Sequence, residues 1–144
     1  MPALRIAAAA VLTLAMTAPA FAQQGGRPLT AHLTGAAQQP GAGDPDGTGQ
    51  ATVRVNVGKS QVCYDLTAEK IAPATAAHIH KAPPGAAGPP VVPLKPPGAD
   101  GKSSGCVTVA ADLAKNILQD PGAYYVNVHN AEFPAGAIRG QLSK

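Results

Sequence analysis

The sequence predicts an all-β fold, an antiparallel β-sandwich with one short helix. Three observations predict it. Short runs alternate apolar and polar residues, which is the period of a half-buried strand. Turns rich in Gly and Pro separate these runs, and a helical pattern is confined to residues 112–119. Seven or eight short strands with so little helix favour packed antiparallel sheets, and Greek-key connections are expected.

The first half of the chain carries the clearest strands. Residues 29–35 alternate, with His32 on the polar phase, and residues 38–49 form a loop rich in Gly, Pro and Asp. Residues 52–57 place three valines on one face, and residues 61–67 alternate again after a short Gly-containing turn. Two alternating runs joined by a short turn predict a β-hairpin.

A histidine-containing strand is predicted next, at residues 76–81, followed by a segment dominated by Pro and Gly at residues 83–105. The prolines exclude a helix and a central strand there. Within that segment, Val91 and Val92 are expected to form a brief edge strand. The start of the segment directly follows the histidine strand, and we expect it to lie over the histidine face.

The last third of the chain returns to strands. Residues 106–109 resume the alternation, and the short helix at residues 112–119 ends at an Asp-Pro-Gly sequence. Residues 123–130 predict a second histidine strand. A turn containing Pro and Gly then leads to a final strand at residues 137–142.

The N-terminal residues predict the compartment of the protein, and its net charge limits the classes of partner. Residues 1–22 have the pattern of an export signal, with Arg5, a short apolar run and an A-x-A cleavage site ending at Ala22. The apolar run is too short for a permanent span of about 20 residues. Cleavage leaves residues 23–144 as one domain with a formal charge of +2, and its basic residues are scattered singly. This charge pattern does not indicate nucleic acid or a membrane surface as partner.

The two cysteines are expected to form one disulfide. Cys63 and Cys106 are the only cysteines of the chain. The chain is predicted to leave the cytoplasm for an oxidising compartment, where thiols form disulfides. A pair of free thiols and a metal-thiolate site are the competing interpretations.

Three histidines predict a metal site. Side chains alternate along a strand, so His78 and His80 share one face about 6.5 to 7 Å apart. In the second histidine strand, Tyr125, Asn127 and His129 are expected to point away from the core. His32 is a tentative fourth ligand. Imidazole ligands favour copper, with zinc as the alternative; surface histidines bonded to backbone carbonyls are the competing interpretation.

Carboxylates that orient the imidazoles are a further possibility that the pattern raises. Glu132 and Asp65 are the nearest candidates, although solvated charges are the simpler interpretation. No Ser, His and acid cluster and no phosphate-binding loop can be placed in the sequence.

At family level the chain resembles the CHRD domain, named after an extracellular signalling antagonist and found singly in exported bacterial proteins. The resemblance covers nearly all of residues 23–144, in the family's order. It is carried by residues 62–66 (VCYDL), 76–80 (AAHIH), 88–92 (GPPVV), 105–107 (GCV) and 124–142. The sandwich that the strand pattern predicts is expected to be immunoglobulin-like or superoxide-dismutase-like.

The site also resembles that of copper-zinc superoxide dismutases, exported or soluble β-sandwiches in which a His-x-His strand and later histidines hold copper. His78 and His80 match the His-x-His, and His129 matches a later ligand. Arg139 resembles the arginine that these enzymes keep beside copper, which implies a tentative catalytic role. The loop after His80 contains no histidine, so the zinc half of the likeness is missing.

Two functions follow as hypotheses. The first is a periplasmic or secreted protein that binds copper through His78, His80 and His129, with superoxide dismutase-like activity as its sharper form. The second is a metal-free extracellular module that binds a protein or a polysaccharide. The first requires imidazole nitrogens that converge to within about 3.5 to 4 Å of one another. A large exposed apolar patch would favour the second.

Overall fold

The computed structural model of the chain describes residues 26–144. The predicted export signal and its cleavage site lie outside the described residues. Within them, no helix combines the length and the apolar character that a membrane span requires.

The described residues form eight strands and one α-helix. The bounds are β1 Arg27–Thr34, β2 Thr48–Asn56, β3 Gln61–Glu69, β4 Ala74–Lys81, β5 Pro90–Leu94, β6 Lys102–Thr108, α1 Ala111–Gln119, β7 Tyr124–Asn130 and β8 Ile138–Gln141. A single 3-10 turn, Pro121–Ala123, connects α1 to β7. Strands β2 and β6 begin four residues earlier than predicted, because ladder hydrogen bonds use backbone groups and extend into polar sequence.

All strand pairs are antiparallel, in the order β5-β4-β7-β8-β1-β2-β3-β6. The predicted hairpin is β2–β3, and Val91 and Val92 lie in the edge strand β5, as expected. The sheet curls until its two edge strands, β5 and β6, lie next to each other. Around the nearly closed sheet the order β3-β6-β5-β4 is then a Greek key. The prediction of an antiparallel β-sandwich with one short helix is confirmed.

No strand ladder joins β5 and β6, but polar contacts connect the residue after β5 to Tyr64 of β3 and to Ser103 of β6. The Lys95 amide donates to the Tyr64 hydroxyl at 2.7 Å, and the Ser103 hydroxyl donates to the Lys95 carbonyl at 2.8 Å. The seam between these strands therefore closes through the residue that follows β5.

The core lies inside the curled sheet and is built mainly from small aliphatic side chains. Helix α1 adds Ala114 and Ile117 to the core, and both are fully buried. Tyr64 and Tyr124 are the aromatic members of the core among the described residues. The other large side chains of the core are Leu29, Leu33, Val53, Val55, Val62, Leu66, Ile79, Val92, Leu94, Val126, Val128, Ile138 and Leu142. The alternation of the strands places these residues inward, as the sequence pattern predicts.

Cys63 and Cys106 form a disulfide, as predicted. They stand directly opposite each other in β3 and β6. The bond therefore links β6, an edge strand among the described residues, to its ladder neighbour β3, on the outer face of the sheet where Cys106 is exposed.

Candidate metal centre

The candidate site lies on the outer face of β4 and β7, which are adjacent strands. The register pairs His78 with Asn127, His80 with Tyr125 and Ala76 with His129. Between these positions the inward side chains Ala77, Ile79, Val126 and Val128 belong to the core. Strand alternation therefore turns His78, His80 and His129 to one face, and the pairing of β4 with β7 brings them together.

The three imidazoles form a compact group. Their ring centroids are 5.2 to 5.8 Å apart, and His78 Nδ1 lies 3.3 Å from His129 Nε2. One nitrogen from each ring lies within 4.8 Å of the others. One pair meets the spacing of about 3.5 to 4 Å that a shared metal requires, and the full set exceeds it by less than about 1 Å. A shared metal would require the rings to approach one another by that distance.

Backbone carbonyls fix the orientation of two rings. His80 Nδ1 lies 2.8 Å from the Gly88 carbonyl, and His129 Nδ1 lies 3.0 Å from the Pro134 carbonyl. A carbonyl oxygen only accepts, so each Nδ1 carries the proton and each Nε2 presents a lone pair. The Nε2 atom of His80 is buried and has no hydrogen-bond partner in the described part of the chain. An unpartnered buried nitrogen beside two other imidazoles indicates a place for a ligand.

Burial favours the neutral form of His78 and His80. Desolvation lowers the pKa of His78, and the neighbouring His129 and His80 rings lower it further. Desolvation is also the main cause that lowers the pKa of His80; the Gly88 carbonyl opposes it, while His129 and Arg139 add to it. Both rings therefore stay neutral to a lower pH than an exposed histidine would, and the neutral ring is the form that binds metal.

The loop after β4 covers one side of the site, as expected. This segment, residues 82–89, is called the strap below. Its Gly88 carbonyl contacts His80, its Gly88 amide donates to the Tyr125 hydroxyl at 3.1 Å, and its Pro89 carbonyl accepts from the Lys81 amide at 3.1 Å. Tyr125 and Asn127 were expected to face away from the core; they do, but the covering segments leave them only 2% and 1% exposed.

Arg139 of β8 lies beside Tyr125 and holds the strap. Its guanidinium donates to the Ala86 carbonyl at 2.7 Å and the Pro83 carbonyl at 3.1 Å. It also lies 3.5 Å above the centre of the Tyr125 ring. The His80 ring stacks on Tyr125 at 4.9 Å with an interplanar angle of 13°. Strand β7 lies between β4 and β8, so Tyr125 separates Arg139 from the histidines.

The remaining predicted site residues lie elsewhere. His32 is exposed on β1, and β8 separates that strand from β7, so His32 is outside the three-histidine group. Asp65 lies on β3 and Glu132 is exposed in the turn after β7. The orienting contacts assigned to these carboxylates come instead from the carbonyls of Gly88 and Pro134. The residue pattern does not show where backbone carbonyls point. The one available signal was Gly88 of the strap, a residue without a side chain where the strap approaches the backbone of Lys81.

A buried amide pair supports the floor of the site. The Asn127 side-chain amide donates to Gln38 Oε1 at 2.8 Å and to the Ile138 carbonyl at 2.9 Å. The Gln38 amide in turn donates to the carbonyls of Gln39 and Ala135 at 2.9 and 2.7 Å. This pair ties the β1–β2 loop to β7 and to the turn that carries Pro134.

Asn127→Ala is expected to lower the free energy of unfolding by about 2 kcal/mol, because it leaves buried acceptors without a donor. Chemical denaturation measures the change. Asn116→Ala, at an exposed amide of α1, is the matched control and should change stability by less than about 0.5 kcal/mol. Equal effects of the two substitutions would contradict the structural role of the amide pair.

Comparison with known proteins agrees with the resemblance seen in the sequence. The family described as the CHRD domain matches residues 29–142, which is most of the chain. Neither a curated protein nor a solved structure matches the chain.

Proposed function

The chain belongs to the CHRD domain family, and we propose that it is an exported protein that binds one transition metal ion through His78, His80 and His129. The observation that carries the proposal is the buried Nε2 of His80, which lacks a partner in the described residues and adjoins two other imidazoles. The proposal of export rests on the pattern of residues 1–22, and the disulfide fits an oxidising compartment.

Copper is the proposed metal, with zinc as the alternative. Neutral imidazoles suit both ions, and copper(II) stands above zinc in the affinity order of divalent metals. The group contains three histidines and no carboxylate or thiol among the described residues. Three protein ligands leave one coordination position for water or a small molecule, as in catalytic rather than structural sites.

The sharper form of the proposal is superoxide dismutase-like activity. A bound copper ion would supply one-electron redox chemistry. The residues of this chain supply access and orientation: His80 is only 8% exposed and forms the floor, whereas His78 and His129 are half-buried. A small molecule would therefore approach along His78 and His129, on the side that the strap contacts leave open.

The test is metal content by mass spectrometry, followed by copper(I), copper(II) and zinc(II) titrations. Wild type is expected to bind one copper equivalent, and His78→Ala/His80→Ala is expected to bind none at the same site. His32→Ala removes an exposed histidine outside the group and is the matched control; it should titrate like wild type. If wild type and the double variant titrate alike, the metal proposal is wrong. Superoxide assays follow only if copper binds stoichiometrically.

The second candidate is a metal-free binding module. The observation that favours this candidate is a surface cleft of about 580 Å³ between residues 68–74 and residues 97–101. No histidine lines the cleft, so it is separate from the three-histidine group. Among the described residues, Val57 is the only large apolar side chain that is exposed. A binding partner would therefore have to be recognised by the cleft and not by an apolar patch. Absence of metal binding in the titrations would direct a search for ligands to this cleft.

A further inference from the structure

Arg139 is a buried cation whose two terminal nitrogens donate to backbone carbonyls and to a neighbouring side-chain amide. It is 2% exposed, and its guanidinium donates to the carbonyls of Ala86 and Pro83 and to Gln141 Oε1, the last at 3.4 Å. Gln141 adds a contact of its own, since its amide donates to the Ala82 carbonyl at 2.7 Å. Two side chains of β8 therefore fasten the first half of the strap.

The second half of the strap is fastened to the site itself. The Gly88 carbonyl is the acceptor for His80 Nδ1, and the Gly88 amide and the Pro89 carbonyl are held by Tyr125 and Lys81. Between Pro83 and Ala86, the two residues whose carbonyls Arg139 holds, the backbone turns at Gly85, where φ is +79°. Ala86 lies only two residues before Gly88, so we expect a displacement of the first half to reach the carbonyl that orients His80.

We propose that Arg139 is a positioning residue that acts through the strap: by holding the carbonyls of Pro83 and Ala86, it keeps the Gly88 carbonyl on His80 Nδ1 and so selects the His80 tautomer with a free Nε2. The use of that tautomer to bind metal rests on the proposed function, but the tautomer itself does not. This role differs from the one implied by the likeness to superoxide dismutases, in which an arginine stands beside the metal.

Geometry favours the indirect role. The two terminal nitrogens of Arg139 donate to backbone carbonyls and to Gln141, and its guanidinium lies over the Tyr125 ring. A guanidinium forms two directed hydrogen bonds at once from a planar fork, which a lysine ammonium cannot reproduce in the same geometry. The fork, and not the charge alone, is therefore the feature that the strap requires.

The test reads the ring tautomer of His80 by NMR of metal-free protein labelled with ¹⁵N-histidine. Wild type is expected to show His80 protonated at Nδ1, and Arg139→Met is expected to show a mixture of tautomers. Arg139→Lys keeps the charge and should resemble Arg139→Met. Lys59→Met, at an exposed cation of the β2–β3 turn, is the control and should leave the His80 signals unchanged.

Two results would overturn the proposal. One is a wild-type His80 that is not protonated at Nδ1, which requires no variant and so remains decisive if Arg139→Met does not fold. The other is an Arg139→Met protein, or an Arg139→Lys protein, with unchanged His80 signals. Copper titration of the same variants is expected to show a 10- to 100-fold loss of affinity, the usual effect of removing an orienting partner. If Arg139→Met changes the tautomer but wild type binds neither copper nor zinc, the proposed function is wrong and the positioning role stands.

Discussion

Cys63→Ala/Cys106→Ala is expected to lower the free energy of unfolding by about 4 kcal/mol. The disulfide closes a loop of 43 residues, and the estimate is the chain entropy that such a loop removes from the unfolded state. The loop contains β4, β5 and the whole strap, so its closure restricts the part of the chain that builds half of the site. Alanine is preferred to serine because Cys63 is 4% exposed and a buried hydroxyl would add its own cost.

This loss is large for such a domain. Domains of this size unfold with about 5–15 kcal/mol, and the core here is mostly aliphatic, with Tyr64 and Tyr124 as its aromatic members in the described residues. Small side chains bury less apolar area per residue, so less stability remains when the covalent link is removed. We expect the cysteine-free variant to be folded in water but to unfold at much lower denaturant concentration.

Denaturant unfolding with and without reductant gives the measurement and its control. Reduced wild type should unfold at the midpoint of the cysteine-free variant, and the variant should not respond to reductant. A variant as stable as oxidised wild type would show that the link contributes nothing beyond the ladder between β3 and β6.

Gly88→Ala is expected to weaken metal binding by about 10- to 100-fold, the range found when an orienting partner of a ligand is lost. A Cβ at position 88 would overlap the backbone carbonyl of Lys81 and crowd the Ala82 side chain. Backbone atoms of β4 cannot yield without breaking the ladder, so the strap has to move. Its Gly88 carbonyl then leaves His80 Nδ1, and the ring loses its fixed orientation.

Copper titration of Gly88→Ala against Ala87→Ser checks this expectation. Ala87 is the exposed neighbour in the same strap, so its substitution should leave the affinity at the wild-type value. An unchanged affinity in Gly88→Ala would mean that the strap carbonyl does not orient His80 for binding. The two proteins should also be compared by chemical denaturation, because a strap that is merely displaced costs less stability than a disrupted β4.

Alternation in the sequence was sufficient to predict most strands and the outward direction of the three histidines. His78 and His80 share a face through the period of the strand, and His129 has the matching phase in its own strand. Their convergence also required β4 to pair with β7, which alternation alone does not specify. His32 shows the limit: its phase is equally suitable, but the sheet order places β8 between its strand and β7.

The sequence did not predict that side chains on the outer face of the sheet are buried. Tyr125 and Asn127 occupy positions that alternation assigns to solvent, yet the strap and the β1–β2 loop cover them. The partners that decide their burial are backbone carbonyls of Pro- and Gly-rich segments. Side-chain patterns carry no information on where such carbonyls point. The contacts of Arg139 with the strap therefore could not be predicted from the sequence either.

The seam between β5 and β6 has a consequence for the behaviour of the protein at high concentration. An edge strand with free N–H groups is a template on which another molecule can add a strand and begin to aggregate. Pro90 and Pro93 lie within β5 and have no N–H to offer, and the residue after β5 bonds to Tyr64 and Ser103 across the seam. Because each edge also shields the other, the curled sheet presents a poor template for intermolecular strand pairing, which favours a protein that stays dispersed.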